Sequence, residues 1–160
     1  GLELDIMDHR TAQVCEVVDG CVKEYNGSAN TGQRVEPGDF IYAVNGQSGD
    51  SKAILDALKN ATRMEIVFRR PIEYSVKVDV GGRPLGLILQ HAPRSISLMI
   101  ADVSNGPIAE WTARNPDKPL RVLDRIVEVN GNRTFPAELL SEMQENTHTM
   151  LEITVISVLD

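Results

Sequence analysis

The sequence is poor in cysteine, in aromatic residues and in positive charge, and it has no long apolar run. Its 160 residues include two Cys, Cys15 and Cys21, too few for a disulfide framework and without a nearby pair of His at zinc-ligand spacing. They read as buried or idle thiols of a reducing, cytoplasmic compartment, with the membrane periphery reached only through partners. No apolar stretch approaches the ~18–20 residues needed to cross a bilayer. The start at Gly1-Leu2-Glu3-Leu4, without Met, a polar lead-in or a basic-then-apolar signal, reads as the interior of a longer polypeptide. Sixteen Lys plus Arg stand against 23 Asp plus Glu, a net charge of −7. That balance argues against a general binder of nucleic acid or anionic membrane, both of which are held by clustered positive charge. Although aromatics are only 4%, apolar residues reach 42%, too many for a disordered chain.

Catalytic signatures are missing as well. Gly81-Gly82-Arg83-Pro84-Leu85-Gly86 has the glycine spacing of a phosphate loop, but Leu87-Ile88 follows where Lys and Ser or Thr must reach phosphate and metal. His9, His91 and His148 are scattered, with no nucleophile-elbow or metalloprotease motif around them. Carboxylates lie singly on exposed faces or in caps. The expectation is a chain with no catalytic residues, no metal and no cofactor.

What is present is a repeat. The length allows one domain or two small ones near the lower limit of unaided folding, and comparison of the chain with itself decides between them. Val35–Gln47 lines up without a gap on Leu120–Asn132 at an offset of 85, and five of the thirteen pairs are identical. The same offset pairs Gly1-Leu2-Glu3-Leu4 with Gly86-Leu87-Ile88-Leu89, and Ala57–Thr62 with Glu142–Thr147. Gly20, Val22, Glu24 and Tyr25 match Gly106, Ile108, Glu110 and Trp111 after a shift of one. The chain is therefore expected to be a duplication, residues 1–70 and 71–160, joined near Arg70-Pro71. A joint this short is no free linker and favours packed copies.

Within each copy the pattern predicts a hairpin of short strands, over Leu2–Met7 with Ala12–Val18, and over Leu87–His91 with Ile96–Val103. A short helix follows in each, Gly20–Tyr25 and Gly106–Trp111, the second with Pro107 placed as a first-turn residue. Asp39–Val44 and Asp124–Val129 alternate as strands and run into Asn45-Gly46 and Asn130-Gly131, the dipeptide that best tolerates a tight hairpin turn. Asp50 caps a helix over Ser51–Asn60 with Ile54, Leu55 and Leu58 on one face, and Pro136 opens its counterpart with Leu139, Leu140 and Met143 in register. Strands over Met64–Arg69 and Met150–Val158 close the copies.

These residues carry a family resemblance. Pro84-Leu85-Gly86-Leu87 before Ile88-Leu89 resembles the carboxylate-binding loop of PDZ domains, whose usual form is Gly-Leu-Gly-Phe. Pro37-Gly38-Asp39 through Asn45-Gly46, and Leu123-Asp124 through Asn130-Gly131, are similar to the family's Gly-Asp-x-Ile-Leu-x-Val-Asn-Gly. Ala57–Ala61 resembles the end of its groove helix. The likeness covers nearly the whole chain, with departures: the first copy begins on the Gly of its loop and lacks the opening strand, and the second has Pro84 and Leu87 where Gly and Phe are common.

The resemblance implies an α+β, mostly β fold: two PDZ-like, partly open β-barrels or sandwiches, each with a short helix and a longer groove helix. It implies binding of C-terminal, or extended internal, peptides of other proteins by strand addition, the mode for which PDZ domains are a standing example. The carboxylate would meet backbone N–H groups of Leu85, Gly86 and Leu87, because a Gly permits the close approach and outward amides of an anion nest. Ile88, Leu89, Pro136, Leu140 and Met143 would form the groove and pocket, and an apolar last ligand residue is expected. In the first copy the loop would be Gly1 and Leu2, and the groove Leu4, Ser51, Leu55 and Leu58. Each of these apolar residues, taken alone, reads more readily as plain core, and only the family pattern reverses that for the loop residues. Arg83 could assist the carboxylate or simply be solvated. The first position of the groove helix, which sets specificity in the family, falls on Ser51 and Pro136; Pro136 offers no donor and implies an apolar ligand residue there. The pair could serve a scaffold or adaptor, or be the substrate-recruiting appendage of a protease or other enzyme, or one copy could merely buttress the other. The end at Val158-Leu159-Asp160 is a poor ligand for its own groove.

Overall fold

The computed structural model describes residues 1–145 and 149–158. Asn146 and Thr147 of the duplicated helix end, His148, and Leu159-Asp160 lie outside the described residues. Gly1–Pro71 with Ala92–Arg94 form one compact unit, and Ile72–His91 with the residues from Ser95 onward form a second.

The first unit contains β1 (Leu2–Asp5), β2 (Ala12–Val17), α1 (Cys21–Ser28), β3 (Phe40–Val44), β4 (Gln47–Ser48), α2 (Ser51–Asn60) and β5 (Ile66–Arg69). The strands run antiparallel in the order β1-β2-β3-β4, and β5 also pairs with β3. The second contains β6 (Ile72–Asp79), β7 (Leu87–Gln90), β8 (Leu98–Val103), α3 (Pro107–Arg114), β9 (Arg125–Val129), α4 (Pro136–Glu145) and β10 (Met150–Ser157). Its antiparallel order is β6-β10-β9-β8-β7. The class is α+β, with strand outweighing helix, and both units share the order strand, strand, helix, strand, helix, strand, to which the first adds β4 and the second β6.

Local chemistry accounts for most of these elements. Asn45 and Gly46 have φ of 48° and 77°, and Asn130 and Gly131 have 51° and 81°, the paired positive values of a tight hairpin turn. The Asn side chains do more than turn the chain. Asn45 Oδ1 accepts from Glu65 N at 2.8 Å and Asn130 Oδ1 accepts from Glu152 N at 2.9 Å, tying each turn to the last strand of its unit. Asp50 caps α2 by accepting from Lys52 N and Ala53 N. In α4, Leu139 and Met143, four residues apart, face the core. The short helices extend three residues past their expected ends, to Ser28 and Arg114. β6 lies outside the element order read from the sequence; it alternates Tyr74, Val76 and Val78 inward with Glu73, Ser75, Lys77 and Asp79 outward.

The two cores differ in depth. Among the described residues, the second unit buries fourteen apolar ones in one cluster, from Val76, Val78 and Val80 through Leu98, Ile100 and Ile126 to Leu151, Ile153 and Val155. The corresponding cluster of the first unit has seven, among them Val14, Ile41, Val44 and Ile54. With about 1.5–3 kcal/mol for each buried branched side chain, the first unit has much the weaker apolar stabilisation. Cys15 is buried and Cys21 exposed, and no disulfide joins them. Among the described residues no helix is long and apolar enough to cross a membrane.

Candidate peptide-binding groove

β7 is an outer strand of its sheet, paired with β8 on one side, and it follows directly on the loop Gly81–Gly86. Leu85 O accepts from Ile108 N at 3.3 Å and Gly86 O from Ser104 N at 2.8 Å, so both carbonyls turn toward the β8–α3 connection. Two glycines make the approach possible. A Cβ on Gly86 (φ 78°) would lie 2.8 Å from Ser104 O, and one on Gly106 (φ 155°) would lie 3.0 Å from Leu85 O. The first unit repeats the arrangement: Val18 N donates to Gly1 O at 2.9 Å, and a Cβ on Gly1 would meet Asp19 O at 2.8 Å. The sequence signal for this clamp was the shifted pairing of Gly20 with Gly106, whose partner role only the folded loop reveals.

Side chains gather beside the loop as alternation dictates. Leu87 and Leu89 share one face of β7 and, with Leu85 and Leu140, pack half-buried on the core cluster that includes Met143. Met143, at 2% exposure, is floor more than wall. Ile88 points to the other face of β7 and is 54% exposed, away from the other residues named for the groove. Pro136, at the first position of α4, is buried. In the first unit Leu2, Leu4 and Leu58 pack half-buried on the smaller core, Ser51 is buried at the start of α2, and Leu55 is half-buried outside that cluster. Glu3 on β1 pairs with Arg94.

In both units an outer strand follows a glycine clamped against the next connection, and a ten-residue helix carries its apolar face to the same core. Both units have the arrangement of strands, clamp and helix that the resemblance implied.

Arg83, beside the loop of the second unit, is engaged by α3: its Nη atoms donate to Glu110 Oε1 and Oε2 at 2.7 and 2.9 Å. That bidentate hydrogen bond holds the Glu110 carboxyl below the ordinary carboxylate range and the guanidinium above its own. The sequence marked Glu110 only as the repeat match of Glu24; its pairing with Arg83, at the base of the loop, comes from the fold.

No family sequence model and no curated protein sequence matches the chain. Among solved structures, it is similar to INAD PDZ45 in its complex with NORPA CC-PBM, at 18% identity over 91% of this chain and 76% of that chain, with a TM-score of 0.46. It is similar to INAD PDZ45 in complex with NG2 peptide at 21% identity over 93% of this chain and 76% of that one, with a TM-score of 0.41. For a mutant of the fifth PDZ domain of InaD the values are 22%, 57% and 96%, with a TM-score of 0.42.

Proposed function

We propose that the second unit binds the C-terminal end of a partner protein as an added strand between β7 and α4. The observation that carries this reading is the outer strand β7 following a loop whose Leu85 and Gly86 carbonyls are held inward. Amides of Leu85, Gly86 and Leu87 would receive the terminal carboxylate, and an apolar last side chain would rest among Leu85, Leu87, Leu89 and Leu140 over Met143. Pro136 lacks an N–H and favours an apolar residue two positions before the ligand's end. The first unit would use Gly1, Leu2, Leu4 and Leu58 in the same way, with Ser51 at its helix start. A non-catalytic role follows, in a cytoplasmic scaffold or adaptor whose linked modules raise avidity when both engage one target.

Heteronuclear NMR titration with peptides ending in Val, Leu or Ile, and with the same peptides amidated, tests this reading. Shifts at Leu85–Gln90 and along α4 that vanish on amidation are expected. Shifts that survive amidation unchanged would remove the carboxylate from the account, and a preference for Ser or Thr at the third residue from the end would remove the role given to Pro136.

A further inference from the structure

The loop ahead of β7 is tied to α3 in two ways. Gly81 and Gly82 lead into it with φ of 57° and 71°, consecutive left-handed values that give this stretch freedom to swing. Beyond them the chain is fastened. The backbone tie is Leu85 O, which accepts from Ile108 N at the start of α3. The side-chain tie is the fork of Arg83 on Glu110, two residues further along the same first turn. Arg114 Nη2, a turn later, lies 3.8 Å from Glu110 Oε2 and adds its attraction to that carboxylate. Pro107 and Ile108 are buried, so both ties rest on a rooted helix. A guanidinium–carboxylate fork sets distance and plane together, and here it occupies both Nη atoms of Arg83.

We infer that Glu110 is a positioning residue for the carboxylate loop: through Arg83 it pins the loop to α3 and withholds that cation from the ligand. The inference rests on the reading of this loop as the seat of a C-terminal carboxylate. With the segment after Gly82 pinned, the amides of Leu85, Gly86 and Leu87 are ordered before a ligand arrives, so binding does not bear the entropy of ordering them. Carboxylate recognition then belongs to the amides, and Arg83 serves as a strut. The opposite role for Arg83, a charge that assists the carboxylate directly, has the opposite consequence. Removing the charge of Glu110 would free such an Arg83 and tighten binding, whereas removing it from a strut loosens the loop and weakens binding.

The test uses the 160-residue chain, the Val-ended peptide and its amidated twin, titrated by NMR into the parent, Glu110→Gln, Arg83→Glu, and the exchange Arg83→Glu with Glu110→Arg. The side chains of Arg83 and Glu110 are 50% and 43% exposed, so the fold should persist in every variant by circular dichroism. Glu110→Gln should bind the free-acid peptide about two- to fivefold more weakly, the range of a well-formed exposed ion pair. The ratio of free-acid to amidated affinity should fall with it, and the amide shifts of Leu85, Gly86 and Leu87 should move before any peptide is added. The exchange should recover most of the affinity lost in Arg83→Glu, because attraction is re-formed across the same gap. Unchanged or tighter binding by Glu110→Gln overturns the inference, as does an exchange that binds no better than Arg83→Glu or a loss shared equally by the amidated peptide. A parent chain that does not prefer the free acid would instead remove the carboxylate site itself, and the inference with it.

Discussion

At the level of single residues, the duplication provides internal controls. Asp39 and Asp124 occupy the same turn and accept the same backbone bond, from Glu36 N and Arg121 N, each at 2.9 Å. Their remaining surroundings differ. Arg70 donates to both oxygens of Asp39, at 2.8 and 2.9 Å, whereas burial pushes the Asp124 carboxyl above its ordinary value, with the Arg121 amide and the Ser157 hydroxyl opposing. Folding thus favours protonated Asp124. Its stabilising contribution is complete below the unfolded value of 3.8 and is lost as pH rises through the higher native value. Asp124→Asn should remove that slope; the difference in denaturant midpoint between variant and parent, followed by Trp111 fluorescence across that window, checks it, and an identical slope in both refutes it. Gly86 presents a harder constraint, because a Cβ there meets Ser104 O at 2.8 Å and the backbone must give way. Gly86→Ala should cost roughly 1–3 kcal/mol of stability through strain at a positive φ. It should also weaken C-terminal peptide binding more than binding of the amidated form, as read by parallel titrations. The neighbouring turn shows that the rule bends: Gly38 has φ 99°, and the matching Leu123 holds 76°.

At the level of elements, legibility followed local chemistry. Helix α2 is where the sequence placed it because Asp50 supplies the cap and Ile54 the buried face. Asp50→Ala should destabilise the first unit by about 1 kcal/mol, seen as a lower midpoint of its circular dichroism transition, while Trp111 fluorescence stays unchanged. β6 was harder to find. Its alternation is plain once seen, yet the first copy holds no counterpart, so alignment of the chain on itself passes over it, and it begins beside Pro71, which reads as a break. The groove was legible in part. Leu85, Leu87, Leu89 and Leu140 converge as alternation and helical spacing require, but the same spacing could not say that Met143 would be sealed beneath them.

At the level of the molecule, the unequal cores set an expectation for unfolding. The single Trp lies in the second unit, at Trp111, so its fluorescence follows that unit while circular dichroism follows both. In urea the dichroism signal should begin to fall before Trp111 responds, as the first unit, with half the buried cluster, opens first. Coincident transitions would contradict this. The sequence by itself determined the duplication, the turns at Asn45-Gly46 and Asn130-Gly131, the capped helices and the resemblance of the loop, because each is written in neighbouring residues or in fixed spacing. Only the tertiary structure decided which strand edges are left unpaired and which apolar residues are floor, wall or surface. It also decided that β6 pairs with β10, because pairing between strands 71 to 85 residues apart depends on what else packs there.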